Sequence, residues 1–598
     1  MSPVKAYELT YHSHDVLIVG AGGSGLRAAI AAAQRGVSVA VISKVPPTRS
    51  HTVAAQGGIN AALGNVTPDD WRWHMYDTVR GSDWLGDQDA IAFMCQQAPN
   101  AVRELEQMGV VFSRDAQGQI YQRPYGGMST HFGKGDMAFR ACAAADRTGD
   151  AMMQGLYGYV QRYPVDFFVE YVVLDLLMTA EGACRGVLAW ELETGALHVF
   201  LAHHTILATG GYGQVYASTT ASSTCTGDGG GMVVRAGLPL QDMEYVQFHP
   251  TGLAEVGILI SEAARAEGGV LRNSEGERFM ERYASSYKDL ASRDVICRAM
   301  INEMAQGRGC GPNKDAIHLD LTSIDPAIFP TRLPGTRSLS RQFAGVDVTK
   351  EPIPVYPTVH YTMGGIPANM DCEALDMHSQ PVPGLYAIGE AACNSVHGAN
   401  RLGCNSLLDL VVFGKHAGEQ AASHEAKVRL QAVDAPEASL QQALSHFDGL
   451  RHASGQRSAA NWRTHVQRTM QQHAGIMRDG EQLAQGLQQM QTLCQTLPDA
   501  MGITEKSLQW NNELVSAVET HNLQCQALAT LAAAQFRTES RGAHYRTDYP
   551  ERDDANWRWH TLITVEAASG NVHCTKKAVR QSADAEKIPE MLPEARQY

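Results

Sequence analysis

Short apolar segments alternate with helical patterns along the first part of the chain. Residues 15–19 form an apolar run that predicts a buried parallel strand. A glycine-rich loop and an alanine-rich helix ending at Gly36 follow, and residues 37–42 predict a second strand. This order of strand, loop, helix and strand is typical of the beginning of a nucleotide-binding α/β domain.

The loop after the first strand reads G-A-G-G-S-G and contains Gly20, Gly22, Gly23 and Gly25. The G-x-G-x-x-G spacing permits a tight turn, close approach of a pyrophosphate and close helix–strand packing. The motif alone is a weak signal, but its position between a strand and a helix makes it a strong one. The sequence therefore predicts a dinucleotide site here.

The end of the second strand departs from the usual pattern. Many dinucleotide sites carry Asp or Glu there to bind the ribose hydroxyls, whereas this chain has Ser43 and Lys44. A lysine at this place could indicate a 2′-phosphate and hence NADPH. However, no second G-x-G-x-x-G follows a strand, as an NADPH-linked enzyme would need.

The rest of the chain falls into further predicted segments. Residues 66–162 read as mixed helix and loop, and residues 165–174, 186–189 and 204–207 read as strands. Residues 440–536 follow a helical pattern that predicts an antiparallel bundle, with one apolar face on its last helix: Leu514, Val515, Val518, Cys525 and Leu528.

Composition limits the class of protein. At 598 residues the chain is long enough for two to four domains, and 44% hydrophobic with 19% charged residues fits a loop-rich α/β enzyme. A net charge of −14 without a basic stripe argues against nucleic-acid binding. No apolar run of about eighteen residues predicts a membrane span, and the first fourteen residues are too short and polar for a secretory signal.

The cysteines do not predict a metal site. None of the twelve lies in a C-x-x-C pair, so neither zinc nor an iron–sulfur cluster is indicated within the chain. A reducing, cytosol-like compartment is the simpler interpretation.

Residues 48–58, T-R-S-H-T-V-A-A-Q-G-G, carry the first candidate chemistry. His51 could be a structural histidine, as a lone histidine often is. However, it lies where a flavin ring would follow the phosphate loop, and Gly57 and Gly58 allow close packing of backbone on a flat ligand. Three neighbours supply hydrogen-bonding groups for a heteroaromatic edge: Ser50, Thr52 and Gln56.

This segment resembles the flavin-attachment segment of succinate dehydrogenase and fumarate reductase flavoprotein subunits, and the resemblance covers residues 15–598. It implies FAD covalently attached at His51, which raises the flavin potential. It also implies an iron–sulfur partner subunit, membrane anchor subunits that reduce quinone, and a flavinylation assembly factor. Gln56 favours the succinate dehydrogenase branch, because quinol:fumarate reductases often have Glu there.

The resemblance also implies the architecture, an α/β fold with a Rossmann-like FAD-binding domain and an inserted α+β capping domain. A helical-bundle domain and a small C-terminal domain follow. The expected boundaries are 1–246 and 360–436 for the two parts of the FAD-binding domain, 247–359 for the capping domain, 437–553 for the helical domain and 554–598 for the C-terminal domain.

Further FAD contacts are expected from the resemblance. Asp228, in T-G-D-G-G-G, could instead be a helix N-cap after a flexible turn. The strands at 204–207 and 384–388 end in A-T-G-G and G-E, near the cofactor. The remaining expected contacts are Thr209, Gly210, Glu390, Asn405 and Ser406.

A small dicarboxylate carries two negative charges, so its site needs several fixed donors, which Arg and His supply. By resemblance, His360 and Arg401 hold one carboxylate, and His249 and Ser261 hold the other.

By resemblance, Arg293 is the proton acid/base, and Glu262 and Arg265 relay the proton to solvent. An arginine can serve so only if positive charge and desolvation lower the cost of losing its proton. The chain reads S-E-A-A-R-A-E-G-G where the family commonly reads T-E-G-x-R-G-E-G-G. Ala263 and Ala266 would be strained wherever φ is positive.

Alternatives remain open from sequence. The same residues could reduce fumarate, and an L-aspartate oxidase or soluble reductase would bind FAD non-covalently, against which His51 speaks. A non-catalytic flavin scaffold would be expected to lack Arg293 or His360. The expected location is peripheral, on the cytoplasmic face of a bacterial inner membrane or the matrix side of a mitochondrial one.

Overall fold

The computed structural model describes residues 7–423, 430–581 and 591–595. Residues 1–6, from the N-terminal segment that was predicted to be no secretory signal, lie outside these ranges. So do parts of the predicted second FAD-binding segment and of the predicted C-terminal domain. The described residues form twenty strands, β1–β20: Leu9–Val19, Val39–Ser43, Ile59–Asn60, Gln122–Ser129, Met137–Cys142, Val165–Val169, Tyr171–Met178, Cys184–Glu191, Leu197–Leu207, Leu240–Gln241, Val246–Leu253, Val270–Arg272, Ile317–Asp320, Ile353–Thr362, Ile366–Pro367, Glu373–Leu375, Pro381–Ala387, Ala392–Cys393, Trp559–Glu566 and Asn571–Ala578. They form sixteen α-helices, α1–α16: Gly23–Ala33, Trp71–Gly81, Gln88–Gln107, Thr148–Val160, Asp228–Arg235, Ala263–Ala266, Met280–Tyr283, Arg293–Ala305, Ile328–Arg332, Pro334–Ala344, Asn405–Ala421, Glu437–Arg451, Ala459–His473, Gly480–Ala500, Asn512–Phe536 and Asp554–Trp557.

The main sheet confirms the α/β prediction. Six of its eight strands run in the order β16-β17-β9-β1-β2-β6, while β7 pairs with β8 and β8 pairs with β9; β1 pairs in parallel with both β2 and β9. Residues 16–19 are fully or almost fully buried, which explains the uninterrupted apolar run. The turn into α1 needs glycine, because a Cβ on Gly20 would lie 2.2 Å from the Ala208 carbonyl oxygen and one on Gly25 would lie 1.9 Å from that of Gly20.

The predicted capping region contains a separate four-stranded antiparallel sheet, in the order β11-β14-β13-β12. Its helices α6–α10 pack on this sheet around their own apolar cluster, which includes Leu271, Ile317 and Phe329. Strands β11 and β14 lead from this region back to the main domain. The architecture therefore agrees with an inserted α+β cap, while the boundary residues stay a prediction.

The expectation of only helix and loop over residues 66–162 was wrong. Strands β4 and β5 lie there and pair with β3 in an antiparallel sheet of order β3-β5-β4. Pro124, Gly126 and Gly127 lie within β4 and disfavour a strand locally. Pairing with β5, which continues through register shifts, outweighs that local preference.

The predicted helical bundle is present as α12–α15, but its last helix is not amphipathic. In α15, the polar side chains of Asn522, Gln524 and Gln526 are buried together with the alanines and leucines around them. The helix packs against α5 on the cofactor side, α13 and α14 in the bundle, and β19 and β20. The prediction of one apolar face was therefore wrong for α15, because neighbours surround it.

The E-S-R-G-A-H-Y-R segment, residues 539–546, joins three parts of the chain. Arg541 Nη1 donates to the Asp83 carbonyl oxygen at 2.8 Å, and the Gly542 N–H donates to Asp83 Oδ2 at 2.8 Å. Arg298 of α8 donates to the Gly542 carbonyl oxygen at 3.2 Å. The C-terminal region is thereby held to both the main domain and the cap.

None of the helices in the described ranges has the length and apolar character needed to cross a bilayer. Within the same ranges, no three His, Cys, Asp or Glu side chains are grouped as a metal site, and the cysteines are unpaired thiols.

His560 of β19 is a buried cation between two carboxylates. Its Nδ1 lies 2.7 Å from Asp242 Oδ2 and its Nε2 lies 3.1 Å from Asp87 Oδ1, while Arg580 also pairs with Asp87. Burial alone would lower the pKa of His560, but the two carboxylates outweigh it and raise the pKa to about 9. The charged imidazole therefore stabilises the docking of the C-terminal strands.

This raised pKa predicts a loss of stability at alkaline pH. The contribution is complete below the ordinary histidine pKa of about 6.5 and disappears as pH rises through 9, with a size on the order of 3 kcal/mol. Thermal unfolding measured between pH 6 and pH 10 should show it. His560→Gln should be less stable at pH 6.5 and lose most of this slope, whereas His378→Gln, at an exposed turn, should keep it. Equal slopes in all three proteins would contradict the assignment.

Candidate active site

One elongated cavity runs from the glycine-rich loop of the main domain to the cap. The structure brings most of the predicted site residues together on its walls: Gly20, Gly22, Ser43, Lys44, Ser50, His51, Thr52, Gln56, Gly57, Gly58, Thr209, Gly210, Asp228, His249, Ser261, Glu262, Arg293, His360, Glu390, Arg401 and Ser406.

Four predicted residues do not line the cavity. The Gly23 N–H donates to Thr52 Oγ1 at 3.1 Å, and Gly25 packs against the preceding strand. Arg265 lies behind Glu262. Asn405 points away, because its side-chain oxygen accepts from Asn60 at 2.7 Å and its amide donates to Thr78 at 3.0 Å. The side chain of Asn405 is therefore occupied within the protein, and the expected contact of this residue with the cofactor stays a prediction.

Lys44 does not present a free cation to a nucleotide. Its Nζ donates to Thr226 Oγ1 at 2.7 Å, Asp228 Oδ2 at 2.8 Å and Glu519 Oε1 at 2.8 Å. These acceptors use all three donors of an ammonium group. The arrangement removes the sequence argument for a 2′-phosphate at this end of the cavity.

Asp228 lies at a helix start, as the sequence predicted, but the N-cap of α5 is Gly227, so Asp228 is the first helical residue rather than the cap. Cβ atoms on Gly230 and Gly231 would lie 2.3 Å and 2.2 Å from the side chains of Gln526 and Asn522. The glycines allow α5 to approach α15 closely.

His51 begins a 3-10 turn, His51–Ala54, on the cavity wall. Its Nδ1 accepts from the Ser222 N–H at 3.2 Å. Loss of bulk water around the ring and, second, the charge of Arg401 lower the pKa of His51 to about 4, so the imidazole is neutral at neutral pH. Its Nε2 is then the nitrogen available to a ligand in the cavity.

The walls beside His51 fit a planar heteroaromatic group. Ser50 Oγ and Gln56 Oε1 are buried and have no hydrogen-bond partner among the described residues, although both line the cavity. A Cβ on Gly57 would lie 2.7 Å from the hydroxyl of Tyr125, so glycine is required there. The cavity therefore has unused polar atoms at one end and the glycine-rich loop at the other, and this arrangement fits FAD.

Two histidines face each other where the cavity meets the cap. His249 Nδ1 accepts from the Thr251 N–H at 3.2 Å, and His360 Nδ1 lies 2.8 Å from Thr220 Oγ1. The ring centroids are 5.0 Å apart. Burial, and then the charge of Arg293, hold the pKa of both rings well below the usual range, so both are neutral. Neutral His249 carries its proton on Nε2 and can donate it.

Arg293 and Arg401 lie side by side through a shared acceptor. Gln247 Oε1 accepts from Arg293 Nη1 at 2.9 Å and from Arg401 Nη2 at 3.1 Å. Burial, and then the charge of Arg293, lower the pKa of Arg401 to about 10. Since Gln247 is neutral, it fixes both guanidinium groups without cancelling their charge, and the site favours an anion.

Glu262 connects Arg293 with Arg265. Its Oε2 accepts from Arg293 Nε at 3.0 Å and lies 3.6 Å from Arg265 Nη2. Burial would raise the pKa of Glu262, but the charges of Arg293 and Arg265 outweigh it and lower the pKa. Ala263 and Ala266 are helical residues of α6 without positive φ, so the expected strain at these positions does not arise.

Sequence reasoning missed several residues of this site. Gln247 was visible in the Q-F-H-P-T-G segment, where a polar residue precedes His249 at the strand spacing of two. Tyr125 lies in the strand that was read as loop. The backbone N–H of Ser222 and the distant Glu519 had no sequence signal.

Comparison with known proteins agrees with this geometry. An FAD binding domain model matches residues 15–407, and a fumarate reductase flavoprotein C-terminal model matches residues 463–598. The chain is 55% identical to the succinate dehydrogenase flavoprotein subunit of Rickettsia bellii, over 99% of this chain and 100% of that one. It is 52% identical to the mitochondrial succinate dehydrogenase [ubiquinone] flavoprotein subunit of Oryza sativa, over 99% and 94%. A solved E. coli quinol fumarate reductase variant superimposes with a TM-score of 0.90 at 36% identity, over 98% and 99%.

The shared acceptor Gln247 generates a prediction. Gln247→Leu removes the oxygen that holds both guanidinium groups, so the affinity for malonate, an unreactive dicarboxylate, should fall about tenfold or more, since each charge-assisted hydrogen bond contributes about 1.5–3 kcal/mol. Titration calorimetry on the purified variant measures this. Gln380→Leu, at an exposed turn, should bind as the unmodified protein does. Unchanged affinity in Gln247→Leu would show that the arginines hold their positions without it.

Proposed function

The chain belongs to the family of succinate dehydrogenase and fumarate reductase flavoprotein subunits, and on that premise we propose that it oxidises succinate to fumarate with FAD. The observation that carries the proposal is the group of two buried arginines and two neutral histidines at the end of a dinucleotide cavity. Electrons then pass to an iron–sulfur subunit and, through membrane anchor subunits, to quinone. The similar E. coli protein, a quinol fumarate reductase, supports this route.

The residues that line the cavity would hold FAD along its length. The glycine-rich loop at residues 20–25 and the start of α1 would receive the pyrophosphate, Lys44 and Asp228 would border the adenosine, and residues 50–58 would border the ring. When bound, FAD supplies the two-electron acceptor for the hydride that leaves succinate.

Succinate is held by its two carboxylates. His360 and Arg401 bind one of them, and His249 and Ser261 bind the other. Neutral His249 donates a single hydrogen bond from Nε2, neutral His360 can do the same when its Nδ1 accepts from Thr220, and Arg401 donates several hydrogen bonds in a fixed plane. Fixing both ends orients one methylene towards the cofactor and places the other against Arg293.

The proton that succinate loses leaves through three charged residues: Arg293, Glu262 and Arg265. Arg293 takes the proton from the second methylene as it passes one of its own to Glu262, 3.0 Å away. The guanidinium therefore need not be neutral before the reaction. Glu262 passes the proton on towards Arg265, while loss of one hydride and one proton converts succinate to fumarate.

Covalent attachment of FAD at His51 is part of the proposal. The Ser222 N–H occupies the Nδ1 lone pair at 3.2 Å, so Nε2, after loss of its proton, would be the nitrogen that carries the flavin. Attachment raises the potential of the flavin towards that needed for succinate, and an assembly factor assists it. The complex lies on the cytoplasmic face of a bacterial inner membrane, or on the matrix side in a mitochondrion.

Fumarate reduction by the same residues is the second candidate function, because the relatives include fumarate reductases. Gln56 favours oxidation by the one-residue argument above, and its Nε2 donates to the Leu259 carbonyl oxygen at 3.2 Å beside the cap. A non-covalent, aspartate oxidase-like enzyme is distinguished by the state of His51.

The His51 proposal predicts the behaviour of a variant. His51→Ser should retain FAD non-covalently, lose succinate oxidation and keep some fumarate reduction, because the flavin potential falls. Acid precipitation followed by a denaturing gel should show a fluorescent band at about 65 kDa for the unmodified chain and none for His51→Ser. The exposed His378→Ser should remain fluorescent. Full succinate oxidation by His51→Ser would remove the assigned role.

The Arg293 proposal predicts a separation of binding from turnover. Arg293→Ala should still bind malonate but turn over succinate about 100- to 10,000-fold more slowly, the usual contribution of a positioned acid/base. Steady-state rates and malonate titration on the same preparation test this. Arg341→Ala, at an exposed helix position of the cap, is the control. A rate within a few-fold of normal would move the proton transfer to another group.

A further inference from the structure

The adenosine end of the cavity contains a residue from another part of the chain. Lys44 directly follows β2. At this position dinucleotide-binding folds place the side chain that faces the ribose 2′ position. The ammonium group of Lys44 is bound by Thr226, Asp228 and Glu519 at 2.7–2.8 Å. Glu519 lies on α15, 475 residues further along the chain.

The charges at this place alternate along a row. Arg463 of α13 donates to Glu519 Oε2 at 2.6 Å, Glu519 and Asp228 both accept from Lys44, and Asn522 donates to Asp228 Oδ1 at 3.0 Å. Two cations and two carboxylates sum to zero. The side chains of Lys44, Asp228 and Glu519 are 12–17% exposed, so solvent screens these pairs weakly.

We propose that Glu519 is a specificity-determining residue for the nucleotide half of the cofactor. Folds of this kind select an unphosphorylated ribose with an acid near the 2′-hydroxyl, and accept a 2′-phosphate when a cation lies there unpaired. Here the acid is absent from β2 and a lysine stands in its place. Glu519 pairs with that lysine, together with Asp228, and so excludes 2′-phosphorylated nucleotides.

The proposal gives the helical bundle a role in the cofactor site. Removal of the Glu519 charge leaves a local net charge of +1 and frees one donor of Lys44 towards the cavity. A 2′-phosphate then gains a charge-assisted partner that the native site withholds. A purely structural ion pair between α15 and the main domain would change stability without changing this preference.

The test uses FAD-loaded His51→Ser protein, in which FAD can be displaced, and so rests on the proposed FAD site. Release of FAD by adenosine 5′-diphosphate and by adenosine 2′,5′-bisphosphate is followed by the rise in flavin fluorescence. In the His51→Ser protein the 2′-phosphorylated probe should be at least tenfold weaker. Adding Glu519→Gln should raise the affinity for adenosine 2′,5′-bisphosphate, relative to that for adenosine 5′-diphosphate, by at least tenfold. This gain in affinity should become smaller as the salt concentration rises.

Two further variants test whether the unpaired charge of Lys44 causes the change in binding. Adding Lys44→Met to Glu519→Gln should abolish the gained binding, because the cation is gone, whereas the exposed Glu437→Gln on α12 should leave the ratio unchanged. If Glu519→Gln does not fold, Glu519→Asp should shift the ratio in the same direction by less. An unchanged ratio in a folded, FAD-loaded variant overturns this inference alone. A His51→Ser protein that holds neither FAD nor either probe overturns the FAD site as well.

Discussion

Two guanidinium groups of like charge are buried next to each other, and the rest of the site is arranged around this constraint. Arg293 and Arg401 share the oxygen of Gln247, and their proximity together with burial lowers the pKa of Arg401 to about 10. Such an arrangement is costly until an anion arrives. It persists because Arg293 begins α8 in the cap while Arg401 precedes α11 in the main domain, and each is held by its own element.

The parts that sequence predicted well depend on short-range rules. The glycines of residues 20–25 follow from backbone geometry, since a Cβ on Gly20 or Gly25 would overlap a carbonyl oxygen. The donors around the dicarboxylate site were found through the family resemblance, which places Arg and His at these positions. In both cases the residue type itself carries the information.

The parts that sequence missed depend on distant partners. In the sequence Lys44 suggested a site for a 2′-phosphate. In the structure it pairs with a second carboxylate, that of Glu519 on α15, 475 residues further along the chain. The sequence predicted a helix start at Asp228 but gave no reason for the glycines that follow it, which allow close packing of α5 on the same helix. Asn405 matched a family position, yet its side chain satisfies Asn60 and Thr78. No local pattern contains these partners.

The bundle and the C-terminal region also determine the position of the strand that carries the substrate site. Glu244 precedes β11 by two residues; its side chain pairs with Arg537 Nε at 2.6 Å, and its carbonyl oxygen accepts from Arg478 Nη1 at 2.7 Å. Three residues later β11 carries Gln247, which accepts from both arginines, and five residues later it carries His249, which lines the cavity. Because Glu244 is fully buried, loss of Arg537 would leave an unpaired charge immediately before this strand. Docking of the C-terminal region and the geometry of the two arginines are therefore a single constraint.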